Sequence, residues 1–203
     1  MSADRVGRWQ PLESTWAFRS GFLSIRRDRC RLPDGRLSPD MYFMELRDFA
    51  LTVAITPEGE VLLSREYKHG TSDVAYTLPA GFLEPAEAPM AAARRELREE
   101  TGYDGESFEP LGEYFVFPSL SGARGHFFLA RHVRLVAAPH LDEFEEIEAV
   151  PVPLDELRRD LGATTPRYVT DVCTALGLQL AREEITGPKT EALNEALTDE
   201  DVA

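Results

Sequence analysis

The chain of 203 residues is poor in cysteine, in positive charge and in long apolar runs. Only Cys30 and Cys173 occur, far apart and without paired neighbours, which excludes a disulfide framework and a cysteine-based metal site and fits a reducing compartment. Lys and Arg number 22 against 36 Asp and Glu, a net charge of −14. That field repels phosphate backbones and anionic lipid surfaces, so no nucleic-acid and no membrane partner is expected. No stretch of 18 or more apolar residues occurs, and the N-terminal segment lacks a signal-like apolar core, so a soluble cytoplasmic protein is expected. The four histidines, His69, His126, His132 and His140, are dispersed, and surface or structural roles are the default for each. What is present is ordinary globular material: 43% hydrophobic and 29% charged residues, enough to bury a core. The length is above the ~150-residue domain mode, which suggests one domain with an appended element.

From Trp16 to Ile55 the pattern is short and strand-like: FLSIRRDRCRL, the turn signal Pro33-Asp34-Gly35, then MYFMELRDFALTVAI. A second turn, Pro57-Glu58-Gly59, separates FALTVAI from VLLSREY, whose arms read as adjacent strands. VAYTL, LGEYFVF, GHFFLARHVRLV and EIEAVPV follow as strands, with Pro151 and Pro153 confining the last to an edge. PMAAARRELREET, from Pro89 to Thr101, is rich in strong helix formers, has Pro at its start and Gly102 just past its end, and reads as a helix. Leu154 to Leu161 and Arg167 to Ile185 read as further helices, the second weakened by Gly177. The resulting division is a β-rich extension over 1–47, a mixed domain over 48–186 and an acidic tail over 187–203. Strands around a central helix, with helices last, indicate a mixed α+β or α/β sandwich.

Glu96, Glu99 and Glu100 are three and four residues apart, which places the carboxylates on one helix face with Cβ atoms about 5–6 Å from each other. Each like-charge pair costs an isolated helix roughly 0.2–0.5 kcal/mol, so a compensating cation is expected. Arg95, four residues before Glu99, neutralises part of the charge, whereas Arg94 and Arg98 project elsewhere. Hard oxygen ligands on a rigid helix suit Mg²⁺, or Mn²⁺, for the remainder and not zinc. Met90 and Leu97, seven apart, are expected on the opposite, core-facing stripe. A Glu/Arg-rich helix is by default a solvated face with weak ion pairs, and its surroundings decide otherwise. Gly81, then Glu87, then Arg95-Glu96-Leu97-Arg98-Glu99-Glu100-Thr101-Gly102-Tyr103 fit G-x5-E-x7-R-E-U-x-E-E-x-G-U, where U is apolar. A chance match is on the order of 10⁻⁷ per starting position.

This segment resembles the Nudix box, the signature of the Nudix hydrolase superfamily. The resemblance implies an α/β/α sandwich with a Nudix-like mixed sheet and a small N-terminal β-hairpin subdomain. It also implies Mg²⁺ held by Glu96, Glu99, Glu100 and the carbonyl of Ala80, and hydrolysis of a nucleoside diphosphate linked to some group X. Glu99, Glu100 and Arg95 are its catalytic residues within the box. Gly81 lets the backbone turn tightly into the loop. Glu87, near the helix N-terminus, is placed to pair with Arg95.

The run Val61-Leu62-Leu63-Ser64-Arg65-Glu66-Tyr67-Lys68-His69-Gly70, followed by Leu78-Pro79-Ala80-Gly81, is similar to one found in the ADP-ribose and ADP-sugar pyrophosphatase branch, with Glu66 where Gln is usual and Lys68 where Arg is usual. Lys68 and Arg65 are accordingly candidate substrate contacts, Lys68 keeping the charge but losing the bidentate fork of Arg. Pro118, fifteen residues past Tyr103, matches the proline of ADP-ribose hydrolysis in position, although the surrounding residues differ. The branch also implies a homodimer whose N-terminal sheet supplies an aromatic to stack on adenine, for which Trp16, Phe18 and Phe22 are the candidates. The acidic run from Leu141 to Glu148 resembles the loop that delivers a catalytic base, with Glu145 first choice and Glu143 and Glu146 next.

The expected activity is therefore Mg²⁺-dependent cleavage of the pyrophosphate of ADP-ribose or a related nucleotide sugar, a small-molecule nucleoside diphosphate substrate, to a nucleoside monophosphate and a sugar phosphate. Two other readings compete: hydrolysis of GDP-mannose, NADH or a dinucleoside polyphosphate, and a Nudix-fold sensor that binds a nucleotide sugar without cleaving it. Such sensors commonly lose box glutamates, and none is missing here. A prenyl diphosphate isomerase needs a cysteine in its site, and Cys30 and Cys173 lie outside the motifs.

Overall fold

Short arms of β-branched and aromatic residues cut by Pro-Asp-Gly and Pro-Glu-Gly turns fold as antiparallel strands, because the turns fix the reversal and the arms pair. The computed structural model describes residues 6–21 and 23–182. It divides into two units, Met1–Asp48 with Tyr114–Arg124, and Phe49–Glu113 with Gly125–Ala203.

In the first unit β1 (Gln10–Arg19), β2 (Ser24–Arg31) and β3 (Met41–Glu45) form an antiparallel sheet in that order. The Pro33 turn closes with Gly35 N–H donating to the Leu32 carbonyl at 2.9 Å. β1 begins well before Trp16, and all of it is exposed. Its residues Gln10 to Thr15 show no apolar alternation, so only pairing with β2 reveals the strand. MYFMELRDFALTVAI holds two strands, β3 ending at Glu45 and β4 starting at Phe49. The segment from Tyr114 to Arg124 is tied to this unit by Met44 N–H donating to the Leu120 carbonyl at 2.7 Å and Arg124 N–H to Asp48 Oδ1 at 2.8 Å. Phe22 lies outside the described residues.

The second unit holds β4 (Phe49–Ile55), β5 (Glu60–Lys68), β6 (Asp73–Thr77), β7 (Ala80–Phe82), α1 (Pro89–Thr101), β8 (Tyr103–Asp104), all of β9 (Ser107–Phe115) but its last two residues, all of β10 (Arg124–Arg131) but its first, β11 (Arg134–Leu135), β12 (Ile147–Pro153), α2 (Leu154–Leu161) and α3 (Val172–Leu180). The sheet runs β12-β5-β4-β10-β9, with β6 also on β5 and β7 on β4. β4 and β10 are parallel while β5 pairs antiparallel with β12 and β6, so the sheet is mixed. β12, with its two prolines, lies at the end of the order as expected. Alternation along β4 sends Val53 into a core with Leu63, Leu129, Leu157 of α2 and Leu178 of α3. Ala50 and Ala54 face the other way, toward Ala92, Ala93 and Leu97 of α1. Helices thus cover both faces, the expected α/β/α arrangement. The small side chains on β4 bring α1 close enough for Thr52 Oγ1 to donate to the Ala93 carbonyl at 3.2 Å.

Helix α1 has the predicted bounds. Pro89 enters where a missing N–H costs nothing, and Gly102 stops the helix in the left-handed region at φ 74. Leu97 is fully buried, but Met90 is exposed. Met90 shares the azimuth of Leu97 yet lies in the first turn, ahead of the packed Ala92 and Ala93. GHFFLARHVRLV breaks at His132, where φ is 53, into β10 and β11.

The helix expected from Arg167 starts only at Val172, because Asp171 caps it by accepting from Cys173 and Thr174 N–H at 2.8 and 3.0 Å. Ahead of it, Asp160 at the end of α2 accepts the backbone N–H groups of Arg167, Tyr168 and Val169 at 2.7, 2.8 and 2.7 Å. Residues 183–185 of that expected helix and the tail over 187–203 lie outside the described residues. Partial burial works against the Asp160 charge, but the three donors outweigh it and hold the carboxyl below the usual range. A depressed carboxyl contributes stability above its unfolded pKa of about 3.9 and loses it as pH falls through the lower folded value. Asp160→Asn should therefore lower the urea midpoint at pH 7 and narrow the difference between pH 7 and pH 3. Equal midpoints for both proteins at pH 7 would contradict this. No helix among the described residues is long and apolar enough to cross a membrane.

Candidate active site

The loop between β7 and α1 is closed by its own carboxylate: Glu84 N–H donates to Glu87 Oε2 at 2.9 Å, with Ala86 in the left-handed region at φ 65. Arg95 clamps the loop to the helix. Its Nε and Nη2 donate to the two oxygens of Glu87 at 2.9 Å each, and Nη2 also reaches the Phe82 carbonyl at 3.2 Å. The fork holds Glu87 below the usual carboxylate range, and the carboxylates push Arg95 further up. Nη1 donates to Glu96 at 2.7 Å and to Glu99 at 2.9 Å. The predicted Arg95 pairs with Glu87 and Glu99 are present, and Glu96 joins them. Arg94 and Arg98 turn away to Asp104 at 2.8 and 3.6 Å.

The three box glutamates differ in environment. The Glu99 side chain is 42% exposed, whereas that of Glu96 is 15% exposed and lies on Gly81 so closely that a Cβ there would overlap its carboxylate. Burial raises the Glu96 carboxyl against the opposing pull of Arg95. Glu100, in the last turn, is 7% exposed and points into the sheet. Its Oε2 accepts from Ser64 Oγ at 2.6 Å and its Oε1 from Ala80 N–H at 3.4 Å. Burial outweighs both donors and pushes its carboxyl up to about 8.

As they stand, no three Asp, Glu, His or Cys side chains among the described residues converge as a ready cage for an ion. The donor chemistry nevertheless fits a hard divalent cation. The Glu96 carboxylate pressed on Gly81 and the buried Glu100 are hard oxygen donors, and the positive charge of Arg95 is already shared among three acids.

Lys68 lies on the same face of β5 as Ser64 and Glu66, and pairs with Glu66 at 2.5 Å. Arg65 alternates to the opposite face and pairs with Glu148 at 2.8 Å, so the structure does not gather it with the carboxylates. Glu143, Glu145 and Glu146 occupy an exposed loop in which Glu145 closes a turn on Asp142 by accepting its N–H at 3.0 Å. The charge of Glu145 reaches Glu96 and adds to the rise of its carboxyl. Trp16, Phe18 and Pro118 belong to the N-terminal unit. Trp16 and Phe18 are about half exposed, with Arg19 stacked 4.7 Å from the Trp16 ring, and Pro118 sits in an exposed turn closed by Leu120 N–H on the Phe117 carbonyl at 2.8 Å. Ser64 was missed by sequence reasoning, although a lone hydroxyl within VLLSREY was a visible signal.

The model of the NUDIX domain matches residues 46–173, and the model of the nucleoside diphosphate sugar hydrolase N-terminal domain matches residues 9–43. The ADP-ribose pyrophosphatase of Bacillus subtilis is 30% identical over 128 residues, 63% of this chain and 68% of that protein. The methanol dehydrogenase activator of Bacillus methanolicus is 30% identical over 140 residues, 68% of this chain and 75% of that one. A solved ADP compounds hydrolase superposes with a TM-score of 0.79 at 22% identity, covering 91% of this chain and 98% of its own, a likeness of fold. With the box intact and the domain match spanning well over half its length, the chain belongs to the Nudix hydrolase family, on the branch of the ADP-ribose and ADP-sugar pyrophosphatases.

Proposed function

We propose that this chain hydrolyses the pyrophosphate bond of ADP-ribose or a related nucleotide sugar with Mg²⁺, giving a nucleoside monophosphate and a sugar phosphate. The observation that carries the reading is the arrangement of the box glutamates: Glu96 and Glu99 held by the Arg95 clamp, Glu96 pressed on Gly81 of β7, and Glu100 held beneath them by Ser64 and Ala80. An N-terminal segment of the nucleoside diphosphate sugar hydrolase type supports the substrate class.

Hydrolases of this family generally use divalent metal ions. Glu96, Glu99, Glu100 and the carbonyl of Ala80 would hold Mg²⁺, or Mn²⁺ in its place; when bound, the ion polarises phosphoryl oxygens and lowers the pKa of a water. Arg95 keeps Glu87, Glu96 and Glu99 in register and so fixes where those carboxylates stand. Lys68 supplies positive charge for the diphosphate, although Glu66 competes for it. Glu145 accepts the proton of the attacking water as its oxygen bonds to phosphorus and the bridging oxygen leaves with the other phosphate. The exposure of β1 along its whole length, with Trp16 and Phe18 about half exposed, supports a homodimer formed through the N-terminal unit, with these aromatics available to the adenine. The acidic charge and reduced cysteines support a cytoplasmic setting.

The test is phosphatase-coupled phosphate release with Mg²⁺ from ADP-ribose, ADP-glucose, GDP-mannose, NADH and diadenosine polyphosphates, run beside light scattering for the dimer. ADP-ribose or an ADP-sugar should give the highest kcat/KM. Inactivity on every nucleotide sugar would reject the reading, and tight binding without turnover would replace it with a sensor.

A further inference from the structure

Side chains of β5 alternate between the two faces of the sheet, and Leu62, Ser64 and Glu66 share the face beneath α1. Leu62 packs on Leu97 in the apolar core there. Ser64, two residues on, is wholly buried, and its register neighbours are the small residues Ala149 on β12 and Thr77 on β6. An aliphatic side chain would suit that position better, because a buried hydroxyl is costly unless its hydrogen bond is made. The bond it makes is short and goes to one acceptor, Glu100 Oε2 at 2.6 Å. The second donor to the same carboxylate, Ala80 N–H, is long at 3.4 Å. Glu100 itself is almost fully enclosed, so its orientation depends chiefly on Ser64.

We propose that Ser64 is a positioning residue of the cation site: its hydroxyl holds the Glu100 carboxylate in the orientation from which it binds the divalent ion. The inference rests on the metal reading given under the proposed function. Ser64 acts through Glu100 and touches neither ion nor substrate. Loss of such an outer partner costs 10–100-fold in metal affinity.

The test is Mn²⁺ titration of the metal-free full-length protein, following the free-ion paramagnetic resonance signal, for the wild type, Ser64→Ala, Ser64→Thr and Thr52→Val. Thr52 is a second buried hydroxyl at the α1–sheet contact, bonded to the Ala93 carbonyl rather than to Glu100, so its variant reports a general loosening of the helix. Ser64→Ala removes only the hydroxyl oxygen and cannot crowd the core. It should weaken the Mn²⁺ dissociation constant about 10–100-fold, with Thr52→Val near the wild type and Ser64→Thr recovering most of the loss. A wild type that takes up no Mn²⁺ would overturn the metal reading and this inference with it. Wild-type uptake with Ser64→Ala inside twofold of it, or an equal weakening in Thr52→Val, would overturn the role of Ser64 alone.

Discussion

Glu100→Gln should lower kcat/KM on nucleotide sugars by on the order of 10³-fold while leaving the metal-free protein as stable as the wild type or more so. On the proposed metal reading, the kinetic part follows from removing one anionic ligand of a cation that would supply several kcal/mol of transition-state stabilisation, each 1.36 kcal/mol being tenfold in rate. The stability part follows from burial. At 7% exposure the Glu100 carboxylate gains two hydrogen bonds, yet desolvation still dominates and raises its carboxyl to about 8. Glutamine keeps the shape and an acceptor for Ser64 without a charge to desolvate. A residue kept for packing would show the opposite result, lost stability with retained turnover. Activity within tenfold of the wild type in a folded Glu100→Gln protein would remove this residue from the site.

Local grammar made α1 and α2 legible to the residue, since Pro89, Gly102 and the Pro151 and Pro153 pair mark boundaries that neighbouring residues alone enforce. The start of α3 was not legible. Whether Arg167 to Val169 continue as helix is decided by Asp160, which takes their N–H groups from outside the segment. β1 was partly hidden for a related reason: a strand with no buried face carries no alternation, and only its pairing with β2 defines it. The grouping of Tyr114–Arg124 with the N-terminal unit depends on contacts 76 residues apart in sequence, such as Arg124 on Asp48, which no window spans.

In the site, spacing placed Glu99 one turn from Arg95 but could not show that the long guanidinium fork also reaches the adjacent Glu96, a neighbour that helical geometry alone would put on another side. Nor could spacing separate three glutamates that turn out half exposed, pressed on a glycine and buried. A motif fixes which oxygens are available, and the sheet beneath it decides how each one is solvated.

Gly81→Ala should cost on the order of 10²-fold in kcat/KM with little change in stability. Gly81 is outside the left-handed region, so alanine meets no backbone strain there, and β7 keeps its register with Ala50 opposite. The added Cβ would overlap the carboxylate of Glu96, the free end of a flexible side chain, which can swing away without moving the sheet. The whole effect should therefore fall on one acid, and losing part of its contribution, about 2–3 kcal/mol, gives the stated rate loss. A double-mutant cycle isolates that cause. If glycine serves only to admit Glu96, then adding Gly81→Ala to Glu96→Ala lowers kcat/KM no further, and the coupling energy equals the single effect of Gly81→Ala. Additive losses would mean that the glycine is needed for the backbone path into the loop instead, and a fully active Gly81→Ala would show that Glu96 does not need to rest where the structure places it.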